Sequence, residues 1–381
     1  MRIAISTLIV RVGLSGSNES YLVNLVAALE AVDSENEYLL FVTPQNAGSF
    51  TVSSPRFRLI TVPSWGYSRA GRVLLDQLVV PFWARRLGAT VLHYPGTLGS
   101  LVRLRNPAQV VTVHYDVDPT HAPSVSRLKR AYYATLMRRT RETAGAMIVP
   151  SRTFGETFGA RWRIPSGKLK VVYHGVGARR RDAASAREGY DLLTRLALAP
   201  GYLLCVTNAL PHKNVPCLLQ AYATMVSKMS CRVPLVLVGD VSRSALRDWM
   251  GELDAADMRV PIDRVVLTGV LSPAQVGILY QHAALMVTPT LNESFSLPVL
   301  EAMVNGCPVV ASDIPVHREV GGDAAILVPP ESPDRLSEAC CALLTDERQR
   351  RVLVERGLQR AAQFSWERMA RATMAVYGGV L

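Results

Sequence analysis

The chain has 381 residues, 49% of them hydrophobic and 19% charged, which is enough for large packed cores and, at roughly 150 residues per domain, for two of them. Disorder driven by low hydrophobicity is excluded, and so is a spanning helix, because the best apolar stretch, Val73 to Trp83, is interrupted by Asp76 and Gln77. The net charge of +11 sits wholly in residues 1–176, with 21 Lys+Arg against 10 Asp+Glu, while residues 177–381 hold 21 of each; an anionic partner is expected there.

In chain order, Met1-Arg2-Ile3-Ala4-Ile5-Ser6 reads as a first strand rather than a signal peptide, so a cytoplasmic protein is expected. Leu22, Leu25, Val26 and Leu29 then follow the i, i+3, i+4, i+7 spacing of an amphipathic helix. Further β-branched runs at 37–43, 57–62, 90–95, 108–114, 145–150 and 169–173 are near-continuously apolar, the pattern of parallel strands covered on both faces. Residues 174–200 carry glycines, an Arg179-Arg180-Arg181 run and no strand signal. New strands then start at 202–207, 234–239, 265–270, 284–289, 308–312 and 325–329.

This predicts an α/β protein of two doubly wound, Rossmann-like domains facing a central cleft, with ligands at the C-terminal ends of the strands. The expected division is 1–176 as the first domain, 177–200 as linker, 201–363 as the second domain, and a closing helix at 364–381 that crosses back to the first. Cys205, Cys217, Cys231, Cys307, Cys340 and Cys341 show no metal spacing and read as reduced core thiols.

The strongest local signal is Glu293-Ser294-Phe295-Ser296-Leu297-Pro298-Val299-Leu300-Glu301-Ala302-Met303, a strand-to-helix transition in which Pro298 suits the first helical turn. Such a helix start favours a diphosphate, and carboxylates accept hydrogen bonds from vicinal hydroxyls, so Glu301 suits a ribose and Glu293 a sugar ring. Lys213 follows a strand and precedes the helical pattern Val215, Leu218, Leu219, Tyr222.

The E-x7-E motif and the Gly306-Cys307-Pro308-Val309-Val310-Ala311-Ser312-Asp313 run resemble the signature of the family 4 retaining glycosyltransferases, whose fold is GT-B. The resemblance extends to Pro211-His212-Lys213-Asn214, Thr112-Val113-His114-Tyr115-Asp116, Leu92-His93-Tyr94-Pro95 and Phe364-Ser365-Trp366. It implies that Lys213 neutralises the donor diphosphate, with His212, Thr207 or a backbone amide where the family often has an arginine, and that Ser294, Phe295, Ser296 and Leu297 line the donor. His114 then binds the transferred sugar or positions the acceptor. Asp116 orients His114 or approaches the acceptor hydroxyl, and Gly16-Ser17 stands where the family has a glycine pair.

The implied reaction moves a hexose from a GDP- or UDP-linked sugar, a mannose-type donor being favoured, to a glycan or lipid-linked hydroxyl with retention. It belongs to surface polysaccharide assembly. Glu293 and Lys213 act with His114 at the reacting sugar, and domain closure excludes water. No D-x-D lies between the domains, so no metal and no cofactor beyond the co-substrate is expected. The basic helical segment with Lys129, Arg130, Arg138, Arg139 and Arg141, and a second group at Arg69, Arg72, Arg85 and Arg86, fit an anionic membrane surface at the inner face of the plasma membrane. Nucleic acid is not expected, since stacking platforms and a known motif are lacking. The rival readings are a non-catalytic anionic-surface or nucleic-acid-binding protein on the same scaffold and a nucleotide-sugar epimerase.

Overall fold

The computed structural model describes residues 1–10, 17–63, 69–102, 106–116, 127–177, 183–229, 232–255 and 260–381. They form two compact units, Met1–Gly175 with Ser365–Leu381, and Val176–Phe364.

The first unit holds seven strands: β1 (Arg2–Ser6), β2 (Glu37–Val42), β3 (Phe57–Thr61), β4 (Val91–Tyr94), β5 (Ala108–Thr112), β6 (Ala144–Val149) and β7 (Leu169–Val171). All pairings are parallel, in the order β3-β2-β1-β4-β5-β6-β7, so the direction of winding reverses between β1 and β4. Ligands of such sheets gather where the winding reverses. Helix Ser17–Val32 buries Leu22, Leu25, Val26 and Leu29 as its spacing predicts. The last helix, Trp366–Gly378, shares that core through Met369, Ala370 and Tyr377, and its Ser365 side chain caps it by accepting from the Arg368 N–H. At Gly175 a Cβ would stand 2.4 Å from the Trp366 backbone nitrogen, so the outgoing and returning chains pass each other at a residue that needs no side chain.

The second unit holds β8 (Tyr202–Val206), β9 (Leu235–Val238), β10 (Val265–Gly269), β11 (Ala283–Thr288), β12 (Val309–Ser312) and β13 (Ala325–Val328), in the order β10-β9-β8-β11-β12-β13. Every strand run read from the sequence is present in the two sheets, within two residues at either end. Within 177–200 the chain forms a helix, Ala183–Arg195, which packs on helix Pro273–His282 and buries Leu192. Cys205, Cys217, Cys307, Cys340 and Cys341 are buried; Cys231 lies outside the described residues. Among the described residues no helix is long and apolar enough to cross a membrane.

The ends of β8 and β9 meet at Gly239, where φ is +125 and a Cβ would fall 2.0 Å from the Thr207 carbonyl oxygen. Gly239→Ala is therefore expected to push the β8 end aside and lower the thermal unfolding midpoint by about 5 °C or more, as followed by circular dichroism.

Candidate functional site

Because β8 and β11 are sheet neighbours, the segments leaving their C-terminal ends stay side by side. The Leu291 N–H donates to the His212 carbonyl at 2.8 Å, and the Asn214 side-chain amide donates to the Pro289 carbonyl at 3.3 Å. The tight turn Pro211–Lys213 ends on Asn214 with φ 52. This pairing sets Lys213 Nζ 2.5 Å from Glu293 Oε1, the two side chains being 15% and 14% exposed. The two groups that stand 80 positions apart in sequence thus form one half-buried ion pair.

The loop carrying Glu293 is fixed from behind. Phe295 is buried and meets Phe364 edge-on at 6.0 Å between centroids. Ser296, at φ 65, gives no side-chain cap to helix Leu297–Val304, and its hydroxyl instead meets Nε2 of the fully buried His317 at 3.0 Å. His317 Nδ1–H donates to the Ser312 carbonyl at 2.7 Å, so Nε2 is the acceptor for Ser296. The Ser312 hydroxyl in turn donates to the Thr290 carbonyl. Burial holds the imidazole pKa below its ordinary value and keeps it neutral. Ser296→Ala, which strands that nitrogen, is expected to cost about 1–2 kcal/mol in urea unfolding.

Pro298 opens helix Leu297–Val304, as its position predicts, and Leu297 and Ser294 are half-buried beside it. Glu301 lies on the same helix, half-buried, with the Tyr280 hydroxyl 3.5 Å from its carboxylate; burial pushes its pKa up. Thr207 is buried at the end of β8, bonded to the Val238 carbonyl through its N–H and to the Asn208 carbonyl through its hydroxyl. His212 contributes its carbonyl to the loop pairing.

In the first unit His114 follows β5. Its Nε2–H donates to the Pro95 carbonyl at 3.0 Å, and its backbone N–H donates to the Thr97 hydroxyl at 3.3 Å. Tyr21 meets the ring edge-on at 4.4 Å, and burial lowers the imidazole to a pKa of about 4, so it is a neutral ring whose Nδ1 is an acceptor. Behind it runs a buried chain of polar contacts: Tyr377 hydroxyl to His93 Nδ1 at 2.8 Å, His93 Nε2 to Thr112 at 2.8 Å, and Thr112 to the Tyr21 hydroxyl at 3.2 Å.

Asp116 turns elsewhere. The Trp162 indole donates to it at 2.9 Å and Arg161 pairs with it at 3.2 Å, so its carboxylate is tied to helix Arg152–Trp162. Asp116-Val117-Asp118 is a D-x-D in sequence, but Asp118 lies outside the described residues. Among the described residues no group of three or more His, Cys, Asp or Glu is placed to hold a metal. Gly16 also lies outside them, and Ser17 opens helix Ser17–Val32.

The basic segment expected to lie on a bilayer is helix Arg127–Thr143, on which Lys129 and Arg130 fall outside the described side chains. Of its apolar side chains Tyr133, Leu136 and Met137 are buried, Tyr133 meeting Trp162 edge-on at 5.8 Å, while Tyr132 is 52% exposed. Arg138 and Arg139 are exposed, Arg139 pairing with Glu142 at 3.1 Å, while Arg141 donates to the Trp162 carbonyl at 3.4 Å. Tyr133, Leu136 and Met137 serve the core, and the described cations of this helix, Arg138, Arg139 and Arg141, are solvated or locally bonded.

A family model described as Glycosyltransferase Family 4 matches residues 19–180, and one described as Glycosyl transferases group 1 matches residues 200–346. The O-antigen chain mannosyltransferase B of Escherichia coli is 34% identical over 194 residues, 51% of this chain and 50% of its own length. The O-antigen chain mannosyltransferase RfbU of Salmonella typhimurium is 27% identical over 293 residues, 76% of this chain and 72% of its own. The fold is similar to that of sucrose-phosphate synthase from Thermosynechococcus elongatus, with a TM-score of 0.74 and 20% identity over 100% of this chain and 99% of that one. With one family matched in each of its two Rossmann-like units, the chain belongs to the group 1, family 4 glycosyltransferases of the GT-B fold.

Proposed function

We propose that the protein transfers a hexose, a mannose-type sugar in the favoured reading, from a GDP- or UDP-linked donor to a hydroxyl of a glycan or lipid-linked acceptor, with retention and without a metal. The observation that carries this is the Lys213–Glu293 pair beside helix Leu297–Val304. A cation, a helix start and two carboxylates are what a diphosphate, a sugar ring and a ribose ask for. The mannosyltransferase relatives favour the sugar and a role in surface polysaccharide assembly.

In this reading the second unit binds the donor. Lys213 and the first amides of helix Leu297–Val304 oppose the diphosphate charge that grows as the glycosidic bond breaks. Glu293 accepts from hydroxyls of the sugar and Glu301 from those of the ribose. The acceptor oxygen attacks the anomeric carbon from the face the diphosphate leaves, and its proton passes to the departing phosphate oxygen. His114 Nδ1 accepts a hydrogen bond from the sugar or the acceptor, His212, Thr207 or a backbone amide adds a second phosphate contact, and the protein works at the cytoplasmic face of a membrane.

The test is thermal unfolding with GDP-, UDP-, ADP- and dTDP-sugars, without metal, on the wild type and Glu301→Ala. A donor at about 100 times its Kd adds roughly 2.7 kcal/mol of stability. One nucleotide is expected to stabilise the wild type and not the variant; equal stabilisation of both would remove Glu301 from the donor site.

A further inference from the structure

The helical run from Arg69 to Arg86 is built from Arg69–Leu74, a π-helical turn Leu75–Val79 and Val80–Arg86. Its buried side carries Leu75, Val80 and Ala84 into the core of the first unit. Its outward side is apolar as well: Leu74, Leu78 and Phe82, spaced at i, i+4 and i+8, are 50%, 59% and 63% exposed, and Val73 stands out beside them. Large apolar side chains repeated along one helix face are unlike the scattered exposed leucines of an ordinary surface.

A second segment extends the patch. The Gln77 side chain donates to the Gly99 carbonyl at 3.2 Å and accepts from the Leu101 N–H at 2.7 Å, which fastens the loop holding the exposed Leu101 and Val102 to the residue that precedes Leu78.

Along the sequence the charges in this stretch are nearly all of one sign. From residue 63 to residue 115 the chain carries six arginines, Arg69, Arg72, Arg85, Arg86, Arg103 and Arg105, and a single acid, Asp76. Arg85 and Arg86 are exposed at the C-terminal end of the stripe. Asp76 accepts from the Ser6 hydroxyl, turned away from the patch.

Resting on the reading of a transferase that works at a membrane, we infer that this face, and not helix Arg127–Thr143, is where the protein meets an anionic lipid bilayer: Leu74, Leu78 and Phe82 enter the headgroup boundary while Arg85 and Arg86 pair with lipid phosphates. Apolar area and basic side chains together set interfacial affinity, and of the two basic helices named here Arg69–Arg86 exposes the larger apolar face, because Tyr133, Leu136 and Met137 of Arg127–Thr143 are core.

The experiment is sedimentation of the full chain with vesicles of phosphatidylglycerol and phosphatidylethanolamine, and with phosphatidylcholine vesicles, compared across three variants. Leu74→Ser/Leu78→Ser/Phe82→Ser is expected to lower the partition coefficient on anionic vesicles at least tenfold, Arg85→Gln/Arg86→Gln several-fold, and Arg138→Gln/Arg139→Gln less than twofold. Circular dichroism melts and stabilisation by the nucleotide sugar are expected to be unchanged in all three. Loss confined to the Arg138/Arg139 variant overturns this face, and a wild type that binds neither vesicle overturns the membrane reading itself. The donor-binding melt tests the transferase reading separately in the same samples. A wild-type dimer that the triple-serine variant abolishes overturns the lipid occupant in favour of a second copy.

Discussion

Lys213→Ala is expected to lower kcat/KM by about 100- to 1000-fold, the scale seen when one preorganised group facing developing charge is removed. The structure adds a reason beyond the loss of a cation. Glu293 is 14% exposed and its carboxylate stands 2.5 Å from Lys213 Nζ, so the alanine leaves a half-buried anion uncompensated where a diphosphate is proposed to bind. Donor binding then faces repulsion as well as lost attraction, and KM is expected to rise along with the fall in kcat. Glu293→Gln, which leaves the cation in place, is expected to cost less.

A double-mutant cycle with Lys213→Ala and Glu293→Ala separates these effects. The two groups touch, so a coupling of about 1–3 kcal/mol in transition-state free energy is expected. Strict additivity would mean that the pair seen between the loops after β8 and β11 does not operate as a unit. Activity of Lys213→Ala within threefold of the wild type would remove Lys213 from donor binding altogether.

Much of this was legible in the chain itself. The strands were, because parallel strands buried on both faces are written as unbroken apolar runs such as Ala108–Thr112 and Ala283–Thr288. Lys213 and Glu293 were, because each stands in a motif next to a strand end. What escaped were contacts that join single residues across long separations. His93 and Tyr377 are 284 positions apart, and neither carries a local pattern that names the other. His317 was invisible for the same reason: a histidine early in a short helix gives no sign that its ring holds Ser296 and, through Ser312, the segment that carries Thr290. Periodicity on helix Arg127–Thr143 told that Tyr133, Leu136 and Met137 share a face, but periodicity does not say whether that face meets a sheet or a bilayer.

The buried imidazoles lead to an expected acid sensitivity of the first unit. Burial lowers His93 to a pKa of about 3 and His114 to about 4, whereas in the unfolded chain each titrates near 6.5. The unfolded chain therefore takes up protons that the folded one refuses. The stability these rings allow is complete above pH 6.5, falls as the pH drops, and levels off only below the folded values. By pH 5 each ring accounts for a loss of about 2 kcal/mol. His174, also held well below its ordinary value by burial, adds to the same side.

Asp76 runs the other way. Burial raises its carboxyl to about 7, so it is increasingly neutral in the folded state as the pH falls below 7, while the unfolded aspartate stays charged until near 3.8; between pH 7 and 5 it returns about 2 kcal/mol. The histidines outweigh it, and the urea midpoint of the first unit is expected to fall between pH 7 and 5. His93→Gln is expected to flatten that fall by about 2 kcal/mol and Asp76→Asn to steepen it by a similar amount. A wild-type midpoint that holds steady across this range, with both variants parallel to it, would mean that neither ring nor carboxyl is shifted as its burial demands.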